Sequence, residues 1–442
     1  MLPERSRRHA ILKLALPIIG GMLSQSVLNL VDAALVGTLG KEALAGVGIG
    51  GYAMFLVTAV VFGLSSGVQA QTARRHGEMA WDRRATALNA GLVIALVVAL
   101  PLSVLCLWQA PWLMSLITQE ASVSDIAVEY FRWRVIALVA IAMIFCFRGY
   151  WNGIQRTGLY LGIISITHLV NVLASIGFIF GHAGLPKMGA AGAGAGTTVS
   201  ITIGVCIWAV YSLRHATTSG FLVHRPPPRV FANTLRLAVP HSFQQLWFAG
   251  GYAVLFWILG HLDTASVAVG HVLVNLSLFL ILPGVGLGLA AMSLVGQAIG
   301  RDEQSDAHRW GWDVVQVAWA GLALLALPML LFPDLVLNLF LTEPDLIDMG
   351  RLPLQLTALM IVLDAAALVL GQALLGAGAN RTVMTTTLTT QWLVFLPLAW
   401  WVGIVLGYGL LGIWWMQLAY RCLNSLWFAL IWQRRRWQEL VL

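Results

Sequence analysis

Apolar runs of some twenty residues, separated by short polar stretches, recur along nearly the whole chain. A helix needs roughly 20 apolar residues to cross a bilayer. That measure predicts twelve spans, at about 11–38, 44–72, 86–108, 123–147, 158–182, 190–213, 234–260, 267–298, 312–332, 351–375, 383–406 and 410–433. The stretch RHATTSGFLVHRPPPRVF, from Arg214 to Phe231, is polar and proline-rich and falls between the sixth and seventh spans. The expected layout is a lobe over 1–213, a cytoplasmic linker over 214–232 and a second lobe over 233–442.

The two halves repeat one another. Lys13-Leu14-Ala15-Leu16-Pro17 returns 223 positions later as Arg236-Leu237-Ala238-Val239-Pro240. At the same offset Gly37 pairs with Gly260, Leu39 with Leu262, Gly63 with Gly286 and Gly153 with Gly376. Duplication within an apolar chain is a mark of transporters, whose repeats flank a shared site. Six spans per repeat is an even number, so both repeats start on the same side and run in parallel. The fold class expected is therefore all-α integral membrane, with twelve transmembrane helices in two six-helix lobes. A pseudo-two-fold axis along the membrane normal relates them.

Composition agrees with this picture. The chain is 59% hydrophobic and 10% charged, with a mean hydropathy of +0.82. So few charges do not cover the surface of a soluble protein of this size. The apolar run near the N-terminus continues into the first span and offers no small-residue cleavage site. The net charge of +7 reflects cations gathered on one side. They are Arg5, Arg7 and Arg8, then Arg74, Arg75, Arg83 and Arg84, then Arg148 and Arg156, the linker arginines, and Arg434 to Arg436. The opposite loops carry Glu120, Asp125, Asp334, Glu343, Asp345 and Asp348. The positive-inside rule places both termini in the cytoplasm of a cell whose inner membrane holds the chain, and accounts for the charge without nucleic acid. The four cysteines lie in apolar runs and read as packed thiols.

Polar residues inside spans are where the chemistry is expected. Asp32 lies well within span 1, where an ionised carboxylate costs roughly 2.5–3.5 kcal/mol on insertion scales. Gln25, Asn29 and Asp32 share one helix face, a polar stripe beyond the hinge expected at Pro17. Away from water a carboxyl favours its neutral form, so Asp32 reads as a group that takes up and releases a proton; a fixed hydrogen bond is the structural alternative. Asn171 in span 5 is expected to face the stripe with Thr197 or Thr198, and His168 lies one turn earlier. Asp364 in span 10 is the second buried acid, with Thr357 on its face. Arg421, deep in span 12, needs a partner. Either the two neutralise each other or Asp364 is a second ion-coupling site. Gln244, Gln245, Trp247 and Tyr252, with His271 and Asn275 of span 8, suit a cavity for planar or cationic ligands. An interfacial aromatic belt is the other reading for many of the 19 tryptophans. Further bends are expected at Pro101, Pro240, Pro283-Gly284 and Pro397.

No G-x-x-x-x-G-K-[ST] is present, and the glycine runs at 46–51 and 192–196 lack a βαβ context. No H-E-x-x-H or catalytic grouping appears either. An enzyme is not expected, nor a cofactor or a bound metal; the driving force is an ion gradient, protons first and sodium as the alternative.

Several segments together resemble the multidrug and toxic compound extrusion (MATE) family of secondary transporters. They are LALP in span 1, NLVDAALVGTLGKEALAGVGIG, RGYWNGIQRTG, MGAAGAGAGTT, LRLAVP, LVGQAIGRDE and GQALLGAGANRT, spread over the whole chain. The resemblance implies a V-shaped pair of six-helix bundles, acting as a monomer, that exports small amphipathic or cationic organic molecules in exchange for protons or sodium. Asp32, Pro17, Asn171 and Arg421 resemble the proton-coupled, DinF-like branch. That branch often places an Asp one turn after the span-5 Asn, where this chain has Ser175. Asp364 resembles the sodium-coupled, NorM-like members, whose span-7 Glu is missing near Phe248. A hard cation wants several oxygen ligands, so protons are favoured, with Asp32 as the carrier. A lipid-linked precursor flippase, a major-facilitator exporter and a membrane scaffold are the rival expectations. The flippase would add spans and a cationic cavity, and the major-facilitator type would carry its own signature loops. A scaffold has no need of two buried acids.

Overall fold

The computed structural model describes residues 3–440, and the long elements in it are all helical. In hydrocarbon every backbone polar group must be satisfied within its own segment, which favours helices for such a sequence. In chain order they are α1 (Arg5–Gly37), α2 (Lys41–Phe62), α3 (Leu64–Gly77), α4 (Thr86–Ser115), α5 (Ala121–Ile136), α6 (Leu138–Gly153), α7 (Thr157–Phe180) and α8 (Ala190–His215). After the linker come α9 (Pro228–Leu259), α10 (Thr264–Gly300), α11 (Gln304–Leu331), the short α12 (Pro333–Leu337), α13 (Pro344–Ala377), α14 (Asn380–Leu388), α15 (Leu396–Trp400) and α16 (Gly409–Gln433). Two π-helical stretches, Thr389–Phe395 and Trp401–Val405, flank α15.

Among the described residues nine helices are long and apolar enough to cross a membrane, and the bent pair α5 and α6 makes ten. The other two expected spans, 234–260 and 410–433, coincide with α9 and α16. Both are long, at 32 and 25 residues, but each carries polar residues in its middle: His241, Gln244 and Gln245 in one, Gln417, Arg421 and Asn424 in the other.

Pro17, Pro101, Pro240 and Pro283 all lie inside helices that continue through them. The one break within an expected span that bends by more than 40° among the described residues is at Ala137, where α5 and α6 meet at 47°. No proline stands there. The carbonyls freed by the break are met by side chains: Thr198 Oγ1 donates to Trp133 O (2.6 Å) and Ser103 Oγ to Val135 O (2.8 Å).

Two compact units emerge. One, the N-terminal unit, is Gly20–Ser242. The other, the C-terminal unit, joins the residues up to Ile19 with those from Phe243 onward. These limits differ from the lobes 1–213 and 233–442 read from the sequence, because α1 and α9 each begin in one unit and end in the other. The changeovers fall after Ile19 and after Ser242, which are 223 residues apart, like the repeated motifs. The stretch 214–232 is no free tether either. Phe221 is buried, and Asn89 Nδ2 donates to the carbonyls of Gly220 and His224.

The repeat is realised in packing. A Cβ on Gly63 would lie 2.7 Å from Ser242 Oγ, and one on Gly286 would lie 2.5 Å from the side chain of Ile19. A Cβ on Gly153 would meet the Gln69 carbonyl at 3.0 Å, and one on Gly376 the Met292 carbonyl at 2.4 Å. Each pair of partners is separated by the same 223 residues, so the repeated glycines mark equivalent close approaches of helices.

Candidate functional site

In the N-terminal unit Asp32 sits half-buried on α1. Its Oδ1 is shielded from solvent and has no hydrogen-bond partner. Arg134 of α5 acts on the carboxyl electrostatically, but the two form no ion pair; Arg134 Nη1 instead donates to Tyr130 Oη (3.2 Å). A buried polar atom without a partner is costly. Arg134 belongs to that surrounding and was absent from the sequence reading. It lies at the middle of the expected span 123–147, three residues before the break at Ala137.

The polar stripe is in place and partly linked. Gln25 Nε2 donates to Asn29 Oδ1 (3.1 Å), with both residues exposed. The residue of α7 that reaches this stripe is His168, whose Nε2 lies 3.1 Å from Gln25 Oε1 and whose Nδ1 lies 2.6 Å from Ser24 Oγ. Asn171 turns towards α8: its Nδ2 donates to Ser200 Oγ (3.2 Å), and its Oδ1 accepts from Ser175 Oγ (3.4 Å). Thr197 Oγ1 bonds its own helix at the Ala193 carbonyl, and Thr198 holds the α5 break. Gly196 makes this seam tight, because a Cβ there would lie 2.6 Å from Ser175 N. Pro17 lies inside α1, two residues before the changeover at Ile19.

In the C-terminal unit the Asp364–Arg421 question has a clear geometric answer. Arg421 Nη1 donates to Asp364 Oδ2 at 2.6 Å with both side chains buried, and Arg421 Nη2 donates to Tyr252 Oη at 3.2 Å. Thr357 Oγ1, one face-repeat earlier, accepts from Trp414 Nε1 (2.8 Å). A small, partly open pocket lies beside the pair, walled by Phe248, Tyr252, Phe395, Tyr420, Gln391 and Gln417. Gln391 and Gln417 are 4% and 2% exposed, and their Oε1 atoms have no partner. Gln391 belongs to a π-helical turn, an irregularity that often accompanies function. Its approach to α9 needs Gly251, where a Cβ would lie 2.0 Å from Gln391 Nε2.

Of the six residues expected to line a substrate cavity, only Tyr252 borders this one. Gln244 Nε2 donates to Thr387 Oγ1 (3.3 Å), and Gln245 is half-buried. Trp247 is exposed and packs edge-on against Trp392 at 4.7 Å. His271 and Asn275 are exposed and bond one another, with Asn275 Nδ2 donating to the His271 carbonyl (2.8 Å). Of the two helices that carry the six, α9 borders this pocket, together with the π-helical stretch at Gln391 and α16. Gln391 and Gln417 gave no signal beyond being amides in apolar runs.

A family model described as MatE matches residues 17–176 and again 240–401, so the two matches open at Pro17 and Pro240. The chain is 27% identical over 429 residues to a probable multidrug resistance protein NorM of Pseudomonas aeruginosa, covering 93% of this chain and 86% of that one. A probable NorM of Thermotoga maritima is 24% identical over 422 residues, covering 92% and 88%. Among solved structures, an outward-facing multidrug resistance MATE family transporter of the MOP superfamily superposes with a TM-score of 0.90 at 19% identity, covering 97% of both chains. A MOP superfamily transporter from Pyrococcus furiosus, described as having a binding pocket of reverse polarity, gives 0.88 at 20%, covering 98% and 97%.

Proposed function

The chain belongs to the MatE family of transporters, and from that premise we propose that it is a multidrug exporter of the cytoplasmic membrane. It exchanges amphipathic or cationic organic molecules for protons, and both of its termini lie inside. One observation carries the proton assignment: Asp32 Oδ1 is buried with neither a hydrogen bond nor an ion pair. A carboxylate fixed by a partner has no reason to titrate; this one has every reason to.

The second acid supports the same reading from the other side. Asp364 already holds a cation, the guanidinium of Arg421, and a sodium ion at that carboxylate would have to displace it. Coupling therefore rests on Asp32. Ionised Asp32 favours the state that accepts a cationic drug from the cytoplasm; protonation from outside removes its charge and favours release. Drug and proton must prefer different states, or neither shifts the other.

The test is transport in proteoliposomes. With ethidium as substrate, an imposed pH gradient drives accumulation by the wild type and an imposed sodium gradient does not. Asp32→Asn abolishes the pH-driven component while leaving ethidium binding measurable. Accumulation by Asp32→Asn at the wild-type rate overturns the assignment.

A further inference from the structure

One buried titratable group next to the stripe has no part in that scheme. His168 on α7 is 8% exposed, and α1 engages both of its ring nitrogens. Gln25 uses its Nε2 to reach Asn29 Oδ1, so its Oε1 is what faces the ring at 3.1 Å, and a carbonyl oxygen only accepts. In the neutral ring Nε2 therefore carries the hydrogen and donates it to Gln25. Nδ1 then offers its lone pair to the hydroxyl of Ser24, 2.6 Å away. A second proton on Nδ1 asks only that Ser24 rotate its hydroxyl from donor to acceptor. Both charge states of the ring are hydrogen-bonded at both nitrogens with no heavy atom displaced.

Few charged groups surround the stripe, and one of them, Arg134 of α5, acts on Asp32. From Gly20 on, α1 carries one charged residue, Asp32. α7 has none, α6 has Arg148, and α8 has Arg214 and His215 at its far end. Gln25 links the ring to Asn29, and from Gln25 to Asp32 is seven residues, about 10 Å of helical rise. A proton that leaves Asp32 makes a carboxylate within reach of a ring able to become an imidazolium.

We propose that His168 is a second proton-exchanging residue of the N-terminal unit, receiving at Nδ1 the proton that Asp32 gives up and passing it on towards the cytoplasm. The proposal rests on the proton-coupled reading above. Each transfer breaks one O–H or N–H bond and makes another, with water along the Gln25–Asn29 stripe as the carrier. Ser24 and Gln25 are the positioning residues.

The experiment measures protons released when ethidium binds the purified full-length protein in weakly buffered detergent, over about pH 5 to 8, together with pH-driven ethidium transport. The wild type releases protons in two steps. His168→Gln, which keeps the neutral hydrogen bonds but holds no charge, loses one step and slows pH-driven transport at least about tenfold, with ethidium affinity retained. Ser24→Ala keeps the ring but removes an acceptor from its charged form, so the same step moves to lower pH. Two release steps and wild-type transport in His168→Gln, or an unmoved step in Ser24→Ala, overturn the role of His168 while Asp32→Asn remains inactive. If Asp32→Asn itself releases protons and transports as the wild type does, the proton-coupled reading fails and this proposal falls with it.

Discussion

Asp32 and Asp364 are the same chemical group in opposite circumstances. Asp364 is held by Arg421 at 2.6 Å with both side chains buried, and removing one partner leaves a buried charge uncompensated. We expect Arg421→Met or Asp364→Asn to cost about 3–5 kcal/mol, and the double variant Asp364→Leu with Arg421→Met to recover much of it. Asp32 has no such partner, so Asp32→Asn leaves the thermal midpoint unchanged or higher. Thermal unfolding of the four variants in one detergent checks both halves of this contrast; a large drop for Asp32→Asn would mean that its carboxyl is structural. The acids and Arg421 were legible in the sequence because a charge in an apolar run is expensive and must have a purpose. The partner of each was less so. That Arg421 pairs with Asp364 was one of two open readings, and that His168 rather than Asn171 meets α1 depends on the rotation of α7 about its axis. A single sequence does not encode that rotation where both faces of a helix carry polar residues.

Elements show a similar division. Lengths and order of the helices follow from apolar runs, and the twelve expected segments all correspond to helices, α5 and α6 together forming the fourth. The sharp break within the fourth span does not follow from a proline. A proline inside a helix marks a missing hydrogen bond, whereas the 47° break at Ala137 depends on Thr198 and Ser103 arriving from other helices to meet the freed carbonyls. Thr198→Val leaves the Trp133 carbonyl without its donor and is expected to cost about 1–3 kcal/mol; Thr198→Ser restores the bond. A thermal midpoint for Val equal to that for Ser would show that the bend needs no such support. The repeated glycines allow a ranking. Gly376→Ala forces a Cβ to 2.4 Å from the Met292 carbonyl, while Gly153→Ala brings one only to 3.0 Å from that of Gln69. Overpacking of this kind costs about 1–3 kcal/mol, so Gly376→Ala should lower the yield of folded protein more than Gly153→Ala, as read by size-exclusion profiles of the two.

At the scale of the molecule, the boundary that looks natural in the sequence is not where the compact units divide. Ile11, Leu14 and Ala15 are buried in the core of the C-terminal unit. The start of α1 is also tied there by charge. Arg7 pairs with Asp306 (2.7 Å) and with Asp313, and its guanidinium stacks on Trp310 at 3.6 Å. In the N-terminal unit, Ala238 at the start of α9 is buried in the core. Fragments 1–213 and 233–442 expressed alone are therefore each missing part of a core and are expected to be degraded. Co-expressed, they should purify together; a stable 233–442 fragment on its own would contradict the exchange. Repetition of LALP at LAVP announced the duplication. Nothing local announced that the repeated segments trade places, because that is a property of long-range packing.

That trade has a precedent in how identical chains associate. When two copies of one protein each lend their first segment to the other, the product is a swapped dimer. A half-length chain doing so twice over would have the topology described here, joined afterwards by the stretch from 214 to 232. On that view the link between the halves is a late convenience, and the older bond is the reciprocal loan of Arg7 to Ile19 for Arg229 to Ser242.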